Sequence, residues 1–386
     1  MTELSIPLSV PNIAGNEWRY VKEALDTGWV STAGPFVDRF EKEFAVAAGA
    51  PHAVAVMNGT AALHLCLKMV GVRTGDLVVT TPLTFIAPVN AISYCGADAH
   101  FIDVDETTWQ MDAAATVAFL RDECDIESGE VKHRASGRRV AAVMPVHILG
   151  HPVDMDPILE VCRELALPII EDATESLGGF YKGRPVGTLG DFGCFSFNGN
   201  KLITTGGGGM ITTNDPEKAA RAKYLSNTAK DEPIEFIHGE VGYNYRLTNI
   251  QAAMGIAQLE QLSQFLARKR EVFEFYNDRL SSTPGFSPMP EADFAQSACW
   301  LYTALFAPDS RELLRWLAKE GIQTRPLWQP IHQSPAYPQH HNLSFPHAER
   351  LAREALSLPC STHITTEQLT RVVEAVYRYS ASIQPL

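Results

Sequence analysis

The run Gly193-Cys194-Phe195-Ser196-Phe197-Asn198-Gly199-Asn200-Lys201 brings a hydroxyl, two amides and one lysine to the end of an apolar, strand-like segment. Leu202-Ile203-Thr204-Thr205 and four glycines, Gly206 to Gly209, follow it, so the backbone can turn sharply beside the lysine. A lysine bounded by apolar neighbours is partly desolvated. Desolvation disfavours the ammonium and frees an amine to attack a carbonyl, which is what Schiff-base chemistry needs. The glycine run is not a phosphate-cradling P-loop, because Lys201 precedes it and no Gly-Lys-Ser/Thr closes it. A lysine after a strand is by default a solvated charge. The reading therefore turns on whether the chain supplies a carboxylate, phosphate donors and an aromatic face to go with it.

Four other segments supply such groups. Asn58-Gly59-Thr60-Ala61-Ala62-Leu63-His64 is a small glycine turn opening a helix, where free N–H groups and a positive dipole end suit a phosphate. The plainer reading is a strand-to-helix turn with Thr60 as N-cap. No G-x-G-x-x-G occurs here, which disfavours a dinucleotide site. Thr84-Phe85 follows a strand and Pro82, and its aromatic is otherwise a core residue. Ile169-Ile170-Glu171-Asp172-Ala173-Thr174-Glu175 places acids at the carboxyl end of a buried strand, where open α/β sheets bind ligands. Gly242-Tyr243-Asn244-Tyr245-Arg246 opens a helical pattern. Arg325 could grip a carboxylate or diphosphate bidentately, or be an ordinary surface arginine. His332 is a candidate substrate contact within a set of scattered loop histidines. His147, His151, Asp154 and Asp156 hint at a metal site, but Gly150 and Pro152 prevent the helix that would align both histidines, and no metal is expected.

These residues need a scaffold, and the chain is long enough to build one. Its 386 residues allow a large domain plus a smaller one, and 45% hydrophobic with 20% charged residues is ordinary globular composition. A net charge of −13 argues against a nucleic-acid surface. No membrane span or signal peptide is read, and seven dispersed cysteines without a C-x-x-C pair read as reduced core residues in a cytoplasmic protein. Between about residues 50 and 215, short β-branched runs alternate with helical patterns, predicting an α/β domain with a mostly parallel sheet. Strands are expected at Ala53–Met57, Leu77–Thr80, His100–Val104, Val140–Pro145 and Pro168–Glu171. Asp122 to Arg139 reads as an exposed loop, and Leu247 to about Leu280 as one long helix leading out of the large domain. Trp18, Val21 and Leu25 share one face of a short helix that Asn16 could cap. Leu301 to Phe306 is a strand candidate, with helices near Arg311–Lys319, His347–Leu356 and Thr366–Tyr379.

The Lys201 segment, together with the four others in this order, closely resembles the DegT/DnrJ/EryC1/StrS family of sugar aminotransferases, enzymes that use pyridoxal 5'-phosphate (PLP). The similarity runs from about Val10 to Gln258 and resumes more loosely to the C-terminus. It implies a fold-type I α/β architecture. The large PLP-binding domain would span residues 1–255, N-terminal arm and helix included. A bridging helix and a small C-terminal α/β domain would span 256–386. The resemblance also implies roles. Lys201 would hold PLP through a Schiff base and act as general acid–base. Asp172 would pair with the pyridine nitrogen and Phe85 would stack on the ring. Gly59, Thr60, Ala61 and Ser196 would hold the phosphate. Glu175 would lie near the PLP hydroxyl, a departure from members with Gln or His there. Asn244 would reach the phosphate of a neighbouring subunit, giving a homodimer with shared sites, and Arg246 would orient that loop. The implied reaction moves the amino group of L-glutamate, leaving 2-oxoglutarate, to the C4 keto group of a UDP-linked 4-keto-6-deoxy-N-acetylhexosamine. The alternatives are a C3 or a GDP- or dTDP-sugar enzyme, or a non-catalytic regulator on the same fold. Regulators that lost the chemistry usually lack the lysine, and Lys201 is present.

Overall fold

A computed structural model describes residues 5–232 and 234–383. Seven strands form the central sheet: β1 (His52–Val56), β2 (Leu77–Thr80), β3 (Asp98–Phe101), β4 (Val140–Val143), β5 (Ile170–Asp172), β6 (Phe192–Ser196) and β7 (Gly209–Thr213). Their order is β1-β7-β6-β5-β4-β2-β3, with single bridges at Val143–Ile169 and Val146–Asp172 joining β4 to β5. All neighbours are parallel except those of β7, which runs antiparallel to β1 and β6. Strands such as Leu-Val-Val-Thr and Val-Ala-Ala-Val are buried along their whole length because helices cover both faces.

The covering helices follow in chain order: α1 (Glu17–Asp26), α2 (Pro35–Ala48), α3 (Gly59–Met69), α4 (Ala87–Tyr94), α5 (Ala113–Asp122), α6 (Met155–Glu164), α7 (Pro216–Ser226) and α8 (Asn249–Leu259). The alternation in β6 shows how the layers meet. Phe192 and Cys194 pack into the cluster beneath α3, whereas Phe195 joins Phe40 and Phe44 of α2 on the opposite face. Phe44 meets Phe195 and Phe197 edge-on, with centroids 5.1 and 5.3 Å apart.

Beyond α9 (Leu262–Leu280), β8 (Phe286–Pro288), β9 (Thr303–Phe306), β10 (Arg325–Pro326) and β11 (Ala355–Ser357) form an antiparallel sheet ordered β8-β9-β11-β10. Helices α10 (Arg311–Lys319), α11 (Pro346–Glu354) and α12 (Thr366–Ile383) complete this part. Ile6 and Leu8 of the N-terminal arm pack into the same core, and Ile6 exchanges backbone hydrogen bonds with Gly321 and Gln323.

Three sequence expectations need correction. Asp122 to Arg139 is not a loop throughout: Cys124–Glu127 pairs antiparallel with Glu130–His133. Ser128 and Gly129 both take positive φ, as a tight two-residue turn requires, and buried Cys124 and Val131 anchor the hairpin. The helix expected over 247–280 is two helices, α8 and α9, broken at Glu260-Gln261, whose side chains hold α1. Glu260 accepts hydrogen bonds from Tyr20 Oη at 2.6 Å and Asn16 Nδ2 at 2.7 Å, and Gln261 Nε2 donates to Glu17 at 3.0 Å. This polar docking also turns the apolar face of α1 outward: Trp18 and Leu25 are exposed, Glu17, Tyr20 and Ala24 are buried, and Asn16 makes no cap. All seven cysteines are free and buried, and no described helix is long and apolar enough to cross a membrane.

The packing of α2 makes a direct test. Phe40→Ala should cost about 3–5 kcal/mol, the usual penalty for emptying a filled aromatic site. Val46→Ala on the exposed side of the same helix should stay within about 0.5 kcal/mol. Denaturant unfolding of both variants checks the contrast.

Candidate active site

The carboxyl ends of the parallel strands open into a cavity of about 810 Å³. Of the residues expected at the site, Gly59, Thr60, Phe85, Asp172, Glu175, Ser196, Lys201 and Arg325 line it. Strand parity explains the acids. Asp172 shares the face of Ile170 and meets the cavity. Glu171 points the other way, fully buried, and accepts hydrogen bonds from the backbone N–H groups of Gly187, Leu189 and Gly190 at 2.7–2.9 Å. Behind it, the Val153 N–H donates to His147 Nδ1 at 3.0 Å, which leaves Nε2 to donate to Glu171 Oε2 at 3.1 Å. The His147 backbone N–H donates to the Asp172 carbonyl at 3.0 Å, so this network pins the strand end that carries Asp172.

Lys201 Nζ lies 3.3 Å from Glu175 Oε1 and 4.1 Å from the centroid of the Trp300 ring, over its face. The indole N–H donates to the Asn200 carbonyl at 2.9 Å, which locks the ring beside the lysine. Glu175 Oε2 accepts from the Leu149 N–H at 2.8 Å, and the Leu149 carbonyl accepts from the Trp300 backbone N–H at 3.2 Å. Loop 148–150 thus ties carboxylate and indole together. It comes this close because Gly150, at φ +95°, has no Cβ; one would sit 3.0 Å from the backbone nitrogens of Cys299 and Trp300.

The helix α3 end differs in one respect from expectation. Asn58, not Thr60, is the N-cap, and its Oδ1 accepts from the Ala61 N–H at 2.7 Å. Ala61 is therefore buried with its N–H taken and does not line the cavity, while no hydrogen bond among the described residues engages the Thr60 N–H or hydroxyl. Gly59 admits Ser196 and Thr174 so closely that a Cβ would fall 3.0 and 3.1 Å from their carbons.

His332 is not at the cavity. It is buried edge-on against Phe345 with Nε2 3.0 Å from Glu349, because the turn over 331–333 directs it inward. Asn244 is exposed outside the cavity. Arg246 is buried and paired with Glu41 and the Ala55 carbonyl, as expected of a residue that orients its loop. No group of histidines, cysteines or acids among the described residues could hold a metal ion. His151 is turned to the Pro152 carbonyl, and Asp154 to Tyr181. Sequence reasoning missed Trp300, Thr174 and Trp328 at the cavity wall. Trp300 lies 99 positions after Lys201, and tertiary contacts alone, at Gly150 and at the Asn200 carbonyl, bring them together.

Residues 11–377 match the DegT/DnrJ/EryC1/StrS aminotransferase family. The chain belongs to this family. It is 39% identical over 376 residues to a GDP-perosamine synthase of Caulobacter vibrioides, covering 96% of this chain and 97% of the relative. A GDP-perosamine synthase of Escherichia coli O157:H7 is 38% identical over 376 residues, covering 97% and 98%. The fold superposes on the aminotransferase TlmJ of Streptoalloteichus hindustanus with a TM-score of 0.87 at 30% identity, covering 98% of this chain and all of that one. This family member is a sugar aminotransferase whose cofactor is PLP. The cavity fits that cofactor. Asp172 and Glu175 are buried carboxylates facing a single ammonium, which leaves one suited to a cationic pyridine nitrogen, and Thr60 at a helix N-terminus offers unused donors to a phosphate.

Burial raises both carboxyls above the ordinary carboxylate range. Hydrogen bonds from Thr174 and the Lys201 charge oppose this at Asp172, and Lys201 with the Leu149 N–H opposes it at Glu175. A carboxyl raised in the folded state binds more proton folded than unfolded, so its contribution to stability falls as pH climbs from the ordinary value through the raised one. Asp172→Asn keeps an acceptor for the Thr174 N–H and removes that penalty. In cofactor-free protein this variant should unfold at higher denaturant than wild type at pH 7. The gain should shrink as pH falls toward about 4, near the free carboxyl value. Paired unfolding curves at several pH values measure it.

Proposed function

We propose that this enzyme transfers the amino group of L-glutamate to the C4 keto group of a nucleotide-linked 4-keto-6-deoxy sugar. The observation that carries the reading is Lys201, 13% exposed between Glu175 and the Trp300 face, opening on the same cavity as Asp172 and the α3 N-terminus. PLP, when bound, supplies an electron sink for the carbanion formed at the donor carbon. Lys201 Nζ would hold the cofactor and, as the general acid–base of the site, would take the proton from the α-carbon of glutamate and hand it on. Asp172 would keep the ring nitrogen protonated from a low-dielectric position where its charge acts strongly. Thr60, Gly59 and Ser196 would bind the phosphate, and Phe85, 57% exposed on the cavity wall, would cover the ring. Glu175 would sit beside the ring hydroxyl and receives the Lys201 ammonium whenever the lysine is free. Arg325 lines the cavity with no side-chain hydrogen bond or ion pair among the described residues, so its guanidinium is available to a carboxylate or diphosphate.

For the nucleotide, GDP is favoured by the two relatives named GDP-perosamine synthase. UDP is the second reading, favoured by the Phe197-Asn198-Gly199-Asn200-Lys201 and Thr324-Arg325-Pro326-Leu327-Trp328 segments, which resemble the UDP-sugar branch. A panel of GDP-, UDP- and dTDP-linked 4-keto sugars with glutamate decides between them. Turnover at least tenfold faster with the GDP sugar supports the first reading and the reverse supports the second; if 3-keto counterparts added to the panel are the sole substrates turned over, both are contradicted.

Asn244 serves the site of a second copy, and the enzyme is a homodimer with shared sites. Lys201→Ala and Asn244→Asp should each be weak at limiting PLP, the added carboxylate repelling the phosphate. Mixed under subunit exchange, one hybrid site carries both lesions and the other none, so activity should partly return. No recovery despite demonstrated exchange would contradict sharing.

A further inference from the structure

The segment that carries Asn244 is extended and held on both edges. The Met57 N–H donates to the Tyr245 carbonyl at 2.7 Å, while the Tyr243 and Tyr245 N–H groups donate to the Leu225 and Ser226 carbonyls at 2.8 and 2.9 Å. Two-residue alternation turns Tyr243 and Tyr245 to the same face, where their rings stack with centroids 5.1 Å apart and planes 23° apart. Asn244, between them, is exposed. Both rings close on one side chain of α3, His64. It meets Tyr243 and Tyr245 edge-on at 5.2 and 5.9 Å, with Tyr94 of α4 on it at 5.8 Å. His64 is 7% exposed, and its Nδ1 lies 3.1 Å from Tyr245 Oη.

We propose that His64 is a positioning residue that aims Asn244 at the site of the neighbouring copy by clamping the two tyrosines that flank it. The proposal rests on the reading of Asn244 as a residue shared between subunits. A single backbone step separates Asn244 from each ring, so fixing the rings fixes the direction of the amide. Ordering it in advance removes an entropy cost that would otherwise fall on cofactor binding. The Tyr245 hydroxyl can donate to His64 only while Nδ1 is unprotonated. Burial, helped by the Lys68 charge, lowers the His64 pKa and keeps the ring neutral. His64 is also placed on the helix whose first turn, Gly59 and Thr60, meets its own subunit's cavity. One helix thus faces two sites, the local one through its N-terminus and the distant one through His64.

The test measures PLP affinity in cofactor-free protein. Tyr245→Phe deletes one oxygen, and His64→Phe keeps an aromatic ring but removes the acceptor. Each should raise the PLP Kd about fivefold, the net worth of one hydrogen bond. The double variant should stay well short of the roughly 25-fold product, because both changes remove the same bond. Direction is read in hybrids of His64→Phe with Lys201→Ala subunits, by counting PLP fixed by borohydride on the His64→Phe subunit. Acting in trans, His64 leaves that site served by an intact Asn244 loop, so fixation should occur at the wild-type PLP concentration. Fixation that stays weak in the hybrid would show that His64 acts on its own cradle and would overturn the proposal, as would single variants with unchanged Kd. If Asn244→Asp itself leaves PLP affinity unchanged, the shared-site reading fails first.

Discussion

Two buried carboxylates face one ammonium at the carboxyl end of β5, and the site depends on that imbalance. Asp172 and Glu175 are both nearly inaccessible, and among the described residues the only cation within bonding distance of either is Lys201, at 3.3 Å from Glu175. A buried carboxylate without a partner is costly. The fold tolerates it at Asp172 by holding the chain around it rigidly. The Glu171–His147 network behind the strand has every oxygen of Glu171 occupied, so the backbone cannot relax to let Asp172 escape to water. On the proposed reading a cationic ring nitrogen would compensate that charge, and the protein would be complementary to its cofactor before the cofactor arrives.

The second constraint is the meeting of distant segments at Lys201. Loop 148–150 bonds Glu175 through the Leu149 N–H and Trp300 through the Leu149 carbonyl. Gly150 allows segment 298–300 to approach, and Trp300 lies over the ammonium. The lysine is therefore held at once by an ionic contact and an aromatic one, from two distant segments of the chain. Both favour a defined position for the amine.

Much of this was legible in the sequence, for physical reasons. Parallel strands buried on both faces leave unbroken apolar runs, and ligand residues fall at their carboxyl ends, so the acids at 171–175 stood out from pattern, while the place of Ser196 came from the family resemblance. The hairpin over 124–133 was hidden by polar composition, since its anchoring side chains, Cys124 and Val131, are few among charged neighbours. The exposed apolar face of α1 misled because its docking is polar: Glu17, Tyr20 and Asn16 bind the junction of α8 and α9. Trp300 carried no local signal, as its place depends on a contact between segments about 150 residues apart in sequence. His332 looked available in sequence, but it is buried away from the cavity, with Nε2 on Glu349 and its ring edge-on to Phe345.

The most direct test of the central claim is the identity of the amine that holds the cofactor. Borohydride reduction of the PLP-loaded enzyme, followed by peptide mapping, should place the reduced adduct on Lys201 in the peptide that contains Ser196 and Asn200. An adduct on any other lysine, or none on a protein that binds PLP, would contradict the account.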